Sequence, residues 1–194
     1  PGRIQQGLHF KGGAHTIVPD DNVWAFGNAA FSLGVWAKID PGSPGSFALI
    51  AQDEGPGTTN KWFFYYDGAG RLGFHINGPG SVSLLSSNTV APQVGEWHHY
   101  AMTRSGNTFT FYYDGIAVGT ASSALTIPNA NAPLTFGWGE GSLFGAFKGV
   151  LDDIRIYTAA LTSTQVAELA TGNTEVNNGA LLARWTGDVD GTDV

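Results

Sequence analysis

Apolar and polar residues alternate over most of this chain, and this alternation predicts short β-strands. In FSLGVWAKI, alternate apolar side chains from Phe31 to Ile39 lie on one face and Trp36 on the other, because successive side chains of a strand point to opposite faces. Similar runs are separated by turn sequences such as DGAG and DG. About a dozen short strands at this spacing predict an all-β fold, a two-sheet antiparallel β-sandwich or jelly roll.

One segment departs from the two-residue period and predicts a short helix near the C-terminal end. In TSTQVAELATG, Thr162 suits the N-cap, Gln165 its capping-box partner, and Gly172 the C-terminal stop. The predicted fold class is therefore all-β with one short C-terminal helix.

Two adjacent histidines in GEWHHYAMTR raise the question of a metal or catalytic site. As neighbours on a strand, His98 and His99 point to opposite faces and cannot chelate one metal. The face with Trp97, His99 and Ala101 has core character, so we predict that His99 is buried and hydrogen-bonded between two sheets, as Phe31 is buried there. The Asp-Gly pair after TFTFYY predicts a hairpin turn.

Composition and charge exclude several classes of partner. The 194 residues include 16 acidic and 9 basic ones, and the net charge of −7 argues against nucleic acid, whose phosphates require a basic face. The absence of cysteine excludes disulfides, and no apolar run approaches the ~20 residues that membrane insertion needs. The chain begins without Met or a signal peptide, so we expect neighbouring domains in a longer or processed chain.

Taken together and in order, these segments resemble the laminin G-like (LamG) domain of the concanavalin A-like lectin/glucanase superfamily. The segment GEWHHYAMTRSGNTFTFYYDGIAVG is similar to the family's Trp-His-His strand and Tyr-x-Asp-Gly hairpin, and GLHFKGGAHTIVPDD to its opening segment. The segments FKGVLDDIRIY and AALTSTQVAEL resemble its closing strand and capping helix. The resemblance implies a sandwich of two antiparallel sheets. Lys11 and His15 depart from acidic positions of the family's opening loop, which weakens a metal site there.

The resemblance also predicts the domain boundaries. Residues 1–172 form the LamG-like sandwich, 173–180 a polar linker, and 181–194 an additional segment. That segment, which follows Ala180 in ALLARWTGDVDGTDV, resembles the family's first strand and acidic loop, which normally precede GLHF. It either completes this sandwich or starts a following repeat, and a free tail would expose Leu182 and Trp185. Its aspartates have a spacing that suits Ca²⁺, with a solvated tail as the alternative: Asp188, Asp190 and Asp193.

Asp152 is the candidate metal ligand. By strict alternation it shares a face with Val150, Ile154 and Ile156, where a carboxylate is costly unless it is paired or metal-bound. The resemblance implies that this closing-strand aspartate, with backbone carbonyls near the opening strand, holds a structural Ca²⁺, an ion that prefers oxygen ligands. The alternative is a carboxylate satisfied by backbone N–H groups or by Arg155.

Aromatic residues near turns and loops are the candidate ligand contacts. Sugar-binding modules place pyranose rings against exposed aromatic side chains and bind the hydroxyl groups with polar neighbours. The candidates are Trp24, Trp36, Trp62, Trp138 and Phe144. For each of them the alternative is packing under a loop.

No catalytic residues are predicted. Glycosidases require two suitably separated carboxylates, whereas adjacent Asp152 and Asp153 should point to opposite faces, and His75 is a lone strand histidine. The sequence favours a non-catalytic, extracellular or cell-surface module of a bacterial multidomain protein that binds a glycan or glycoprotein. The alternatives are a structural or protein-interaction repeat of an adhesin-like protein and a cryptic glycosidase or polysaccharide lyase. A lyase or hydrolase would require several acids or a His/Tyr/Arg cluster in one cleft.

Overall fold

The computed structural model describes residues 2–4, 6–140, 144–172, 176 and 178–187. These residues form thirteen strands, one α-helix and two short 3₁₀ helices, at Asn22–Trp24 and Asn178–Ala180. The strands are β1 (Leu8–Lys11), β2 (Thr16–Val18), β3 (Phe31–Ile39), β4 (Phe47–Asp53), β5 (Lys61–Tyr66), β6 (Leu72–Asn77), β7 (Ser81–Leu85), β8 (Trp97–Ser105), β9 (Thr108–Tyr113), β10 (Ile116–Ser122), β11 (Leu134–Phe136), β12 (Lys148–Tyr157) and β13 (Leu181–Trp185), and the helix is α1 (Ser163–Leu169).

The strands form two antiparallel sheets. Sheet A has the order β1-β12-β3-β8-β9-β10, with β13 also paired to β12, and sheet B has the order β2-β11-β4-β5-β6-β7. One edge of β12 pairs with β1 over residues 148–151 and with β13 over residues 154–157, so β1 and β13 lie end to end. This architecture confirms the predicted all-β sandwich with one helix.

The main core lies between the sheets. Phe31, Leu33 and Val35 of β3 point into it and are at most 1% exposed, together with Phe64 and Phe74 of sheet B. Each such side chain stabilises the fold by about 1.5–3 kcal/mol relative to its exposure to water. The predicted burial of Phe31 between the sheets is confirmed.

Helix α1 covers the outer face of sheet A. It begins after Thr162, whose hydroxyl accepts the N–H of Gln165 while the Gln165 side chain accepts the N–H of Thr162, as the capping-box prediction required. Val166 and Leu169 then pack in a second apolar cluster that includes Ala101 of β8. Among the described residues, no helix is both long and apolar enough to cross a membrane.

The burial pattern of β8 corrects the predicted environment of His99. Tyr100 and Met102 belong to the core between the sheets, whereas Ala101 lies in the cluster beneath α1. His99 shares the Ala101 face and is 2% exposed, but its Nδ1 has no hydrogen-bond partner among the described residues. His99 is therefore buried outside the two-sheet core, because α1 gives β8 a second apolar face, and Trp97 is only half-buried.

A β-bulge in β12 corrects the faces predicted around Asp152. The register with β3 shifts between Asp152 and Arg155, and Asp153 has a φ of 47°. The extra residue places Leu151 and Ile154 in the core between the sheets, while Asp153 pairs with Arg155. Asp152 therefore does not share the face of Ile154, and strict alternation is wrong at this point of the strand.

Candidate ligand-binding site

The outer face of sheet B differs from that of sheet A. The latter is covered by α1 and by the amino-terminal segment, in which Arg3 lies 4.6 Å from the centroid of the Trp36 ring. On sheet B lie residues 137–140 and 144–147, the described part of the loop between β11 and β12, which we call the crossing loop. Its Gly139 lies close to Ala48 and Phe63, since a Cβ at this position would be 3.0 and 3.2 Å from their side chains. Beyond the crossing loop, β6 and β7 present half-buried and exposed polar side chains.

A cavity of about 360 Å³ lies between the crossing loop and these polar strands. We call it the sheet-B cavity. It is lined by Ser46, Tyr65, Asp67, His75, Ser83 and Phe144.

Aromatic rings form one wall of the sheet-B cavity. The Phe144 ring meets Phe63 edge to face at 5.2 Å and Tyr65 at 5.0 Å between ring centroids, and Phe63 stacks on His75 at 5.7 Å. The Tyr65 ring lies directly over Gly73, where any Cβ would collide with its Cζ and hydroxyl. The absence of a side chain at Gly73 therefore allows the Tyr65 ring to lie across β6.

Hydrogen-bonding groups lie beside these rings. The Nδ1 of His75 is 2.9 Å from the Ser83 hydroxyl, and this hydroxyl also hydrogen-bonds with Tyr65. Burial raises the pKa of Tyr65 and outweighs the opposing effect of that bond. Burial also lowers the pKa of His75, and the charge of Lys61 adds to the lowering. Both cavity side chains are therefore neutral at pH 7.

Asp67 is the one carboxylate among the described residues of the cavity lining. Its Oδ2 accepts the Nε–H of Arg71 at 2.9 Å, and its Oδ1 accepts the backbone N–H groups of Ala69 and Arg71 at 3.0 and 2.8 Å. These bonds close the hairpin between β5 and β6. They fix the carboxylate at the rim of the cavity and partly neutralise its charge.

Phe144 is the predicted ligand contact that lines the sheet-B cavity. Trp62 lies in the core between the sheets at 0% exposure, and Trp24 is 6% exposed in the same core. Trp36 is 4% exposed beneath Arg3 on sheet A. The burial of these three tryptophans places their rings out of reach of a ligand in this structure.

Trp138 lies at the opposite end of the crossing loop from Phe144. Its half-buried ring stacks on the exposed His15 at 5.2 Å, near the edge strand β2. Trp138 is thus an accessible aromatic residue outside the cavity lining, and it serves as a comparison for Phe144.

The remaining lining residues were not among the predicted ligand contacts. His75 is the cross-strand partner of both Phe63 and Ser83, so three neighbouring strands bring these side chains together. Their outward positions follow from alternation, and that signal was present in the sequence. The register that makes them neighbours depends on pairing between strands, which local alternation does not specify.

The carboxylate oxygens of Asp152 accept hydrogen bonds from backbone N–H groups. Its Oδ2 accepts the N–H of Ile4 at 2.7 Å and its Oδ1 that of Asp153 at 2.7 Å. Burial raises the pKa of Asp152 to about 6, although these backbone bonds oppose the rise. No group of three or more His, Asp or Glu side chains suited to a metal occurs in the described part of the chain. The donors fit the hydrogen-bonded alternative, and the aspartates at positions 188, 190 and 193 lie outside the described residues.

Several solved structures share this fold. Domain 4 of AbnA, a GH43 extracellular arabinanase from Geobacillus stearothermophilus in complex with arabinotriose, matches with a TM-score of 0.70 and 20% identity over 87% of this chain and 78% of that one. The CBM40 of the Ruminococcus gnavus IT-sialidase, bound to α2,3 sialyllactose, matches with a TM-score of 0.69 and 12% identity over 86% of this chain and 97% of that one. Mouse laminin α1 domains LG4-5 match with a TM-score of 0.56 and 16% identity over 81% of this chain and 44% of that one.

Sequence comparisons give the family. No curated protein matches this chain. The Laminin_G_3 model, described as concanavalin A-like lectin/glucanases superfamily, matches residues 10–167. This match covers most of the sandwich, from β1 to α1. The chain therefore belongs to the laminin G-like family of the concanavalin A-like lectin/glucanase superfamily.

Proposed function

We propose that this domain is a carbohydrate-binding module and that its ligand occupies the sheet-B cavity. The observation that carries the proposal is the meeting of the Phe144 and Tyr65 rings with the polar atoms of His75 and Ser83 on an open sheet face. A sugar ring presents apolar C–H groups beside hydroxyl groups, so it needs both kinds of contact at once.

The relatives support this proposal. The arabinanase domain and the sialidase module share the fold, and their structures contain arabinotriose and sialyllactose. We propose that this chain likewise binds a glycan or glycoprotein without catalysing a reaction. We also propose that it works outside the cell or at the cell surface, as one domain of a larger bacterial protein.

Binding of a glycan panel by titration calorimetry tests the proposal. Phe144→Ala removes an aromatic wall of the cavity and should weaken binding at least about tenfold, equivalent to ~1.4 kcal/mol. Trp138→Ala is the matched control, because it removes an aromatic residue from the other end of the same loop. Melting curves establish that both variants are folded. Loss of binding in Trp138→Ala with full binding in Phe144→Ala would place the ligand elsewhere.

A structural or protein-interaction repeat is the second candidate function. The burial of Trp24, Trp36 and Trp62 favours it, since these aromatic residues stabilise the sandwich instead of facing a ligand. A domain of this kind would bind no member of a broad glycan panel. Such a result would replace carbohydrate binding with this candidate.

A lyase or hydrolase is favoured only by the presence of His75 and Tyr65 in one cavity. We propose that they do not act as an acid–base pair, because burial raises the pKa of Tyr65 and its ring is fixed over Gly73. Prolonged incubation with polysaccharides should therefore release neither reducing ends nor unsaturated sugars. Products that disappear in His75→Ala would instead establish catalysis.

A further inference from the structure

We infer that the sheet-B cavity selects neutral sugars and discriminates against glycans whose cavity-bound residue carries a carboxylate, such as sialic or uronic acids. This inference rests on the proposed carbohydrate-binding function and specifies its ligand class. It depends on the charges in the described lining of the cavity and on those around it.

The cations near the cavity already have anionic partners. Lys61, whose charge reaches His75, is 1% exposed and pairs with Glu140 at 2.5 Å and with Asp53 at 3.8 Å. Arg71 pairs with Asp67 at 2.9 Å and is not among the described lining residues. An entering carboxylate would lose water without gaining an unpaired cation from the described lining, which is an unfavourable exchange.

The described lining residues also supply a negative charge and no positive one. Asp67 contributes a carboxylate, whose charge repels an entering anion. The lowered pKa of His75 keeps its ring neutral, so it carries one N–H donor, one acceptor nitrogen and no positive charge. Sugar hydroxyl groups can both donate to and accept from such groups, whereas an ionised carboxylate only accepts. The net charge of −7 further opposes the approach of an anion.

Glycans that differ only in charge provide the test. Calorimetry would compare 3′-sialyllactose with its methyl ester, and trigalacturonate with its methyl ester and with galactotriose, beside arabinotriose as a neutral probe. We expect at least one neutral member to bind, and its carboxylate counterpart to bind at least tenfold more weakly at pH 7. Phe144→Ala should weaken the neutral complex, which ties the preference to the cavity.

Two variants should change the preference in a specified direction. Asp67→Asn removes the rim carboxylate and leaves Arg71 without this partner, and Ser83→Arg adds a cation at an exposed lining position. Each should reduce the difference between neutral and acidic members severalfold. Ser83→Arg keeps the test valid if Asp67→Asn disturbs the hairpin, because it leaves the Asp67 bonds intact.

The outcomes separate the inference from the proposed function. A carboxylate glycan that binds as tightly as its neutral partner, and loses affinity in Phe144→Ala, would overturn the neutral preference while leaving carbohydrate binding in place. An unchanged preference in both charge variants would also overturn the inference. Absence of binding by every probe would remove the proposed function itself.

Discussion

At the residue scale, His99 and Asp152 should respond to acid in opposite directions. Burial lowers the pKa of His99 from 6.5 to about 4, so the unfolded chain binds this proton more readily and the stabilising contribution is lost as pH falls through this range. Burial raises the pKa of Asp152 from 3.8 to about 6, so the folded chain binds this proton more readily and that contribution is lost as pH rises. Between about pH 4 and 6 the two effects oppose each other.

Single variants should separate these two contributions. Asp152→Asn leaves the His99 effect uncompensated, so the free energy of unfolding should rise more steeply between pH 4 and 6 than in the wild type. His99→Gln should instead flatten or reverse the wild-type slope. Each difference amounts to about 2–3 kcal/mol across the window. Chemical denaturation at several pH values measures it, and parallel profiles for all three proteins would contradict the assigned burial effects.

Calcium should not act through Asp152. Because amide N–H groups occupy the Asp152 oxygens, we expect a chain that ends at residue 187 to melt at the same temperature with calcium and with chelator. A metal that binds the folded state alone would raise the melting temperature by mass action. A calcium-dependent rise that Asp152→Asn abolishes would restore the role implied by the family resemblance.

At the element scale, local chemistry was sufficient where an element depends on its own residues. The capping box at Thr162 and the positive φ values of Asp114 and Gly115 confirm the predicted helix start and hairpin turn. The predicted faces of a strand were wrong where a covering helix gives the strand a second apolar face, or where a β-bulge shifts the alternation of its side chains. The covering helix makes both faces of β8 apolar, and the bulge at Asp153 shifts the alternation in β12.

The candidate site also contains residues that local sequence could indicate and residues that only the assembled sheet brings together. Phe144 could be predicted because it stands in a glycine-rich loop that does not continue a strand. The contributions of Tyr65, His75 and Ser83 depend on the register of β5, β6 and β7, which only the assembled sheet determines. The burial of Trp36 depends on the amino-terminal segment, whose Arg3 lies over its ring. This segment is distant from Trp36 along the chain, so the alternation within β3 does not reveal the contact.

Gly73 tests how β6 positions the aromatic wall. Gly73→Ala places a methyl group where the Tyr65 ring lies, so the ring must move or the sheet must shift. We expect a loss of about 1–3 kcal/mol in the free energy of unfolding, as for overpacked cores, together with weaker glycan binding. Gly68→Ala is the control in the same hairpin, because its Cβ would make only ordinary contacts of 3.5 Å or more. Equal stability of both variants in chemical denaturation would contradict this packing.

At the scale of the whole molecule, the two sheets have different outer surfaces. Sheet A carries α1 and the amino-terminal segment on its outer face and has β13 at its edge, and a second apolar cluster and ion pairs around Asp153 lie there. Sheet B carries the crossing loop and the proposed ligand cavity. The apolar cluster and ion pairs of sheet A therefore stabilise the fold, and the proposed ligand cavity lies on the opposite side.

The role of the C-terminal segment is best judged by its contacts with both sheets. The Trp185 ring lies 4.9 Å from Phe136 of sheet B and 5.9 Å from Trp24, and Ala183 is 6% exposed in the main core. Arg184 donates to Asp153 Oδ1 at 2.6 Å. We propose that residues 181–187 are an integral part of this domain rather than the beginning of a following repeat.

Two truncations test this proposal. Removal of residues 181–194 would leave residues 154–157 of β12 unpaired on the side where β13 lies, and it would expose the core under Trp185. The melting temperature should therefore fall by well over 10 °C, or folding should fail. Trp185→Ala alone should cost about 1–3 kcal/mol, because its half-buried ring packs on Phe136 and Trp24. Removal of residues 188–194 is the matched control, because it keeps every described contact of β13. A synthetic peptide of residues 181–187 should restore part of the stability lost in the longer truncation, because it can pair again with β12. If both truncated chains melt like the full chain, the segment contributes nothing to this sandwich and belongs to a neighbouring repeat.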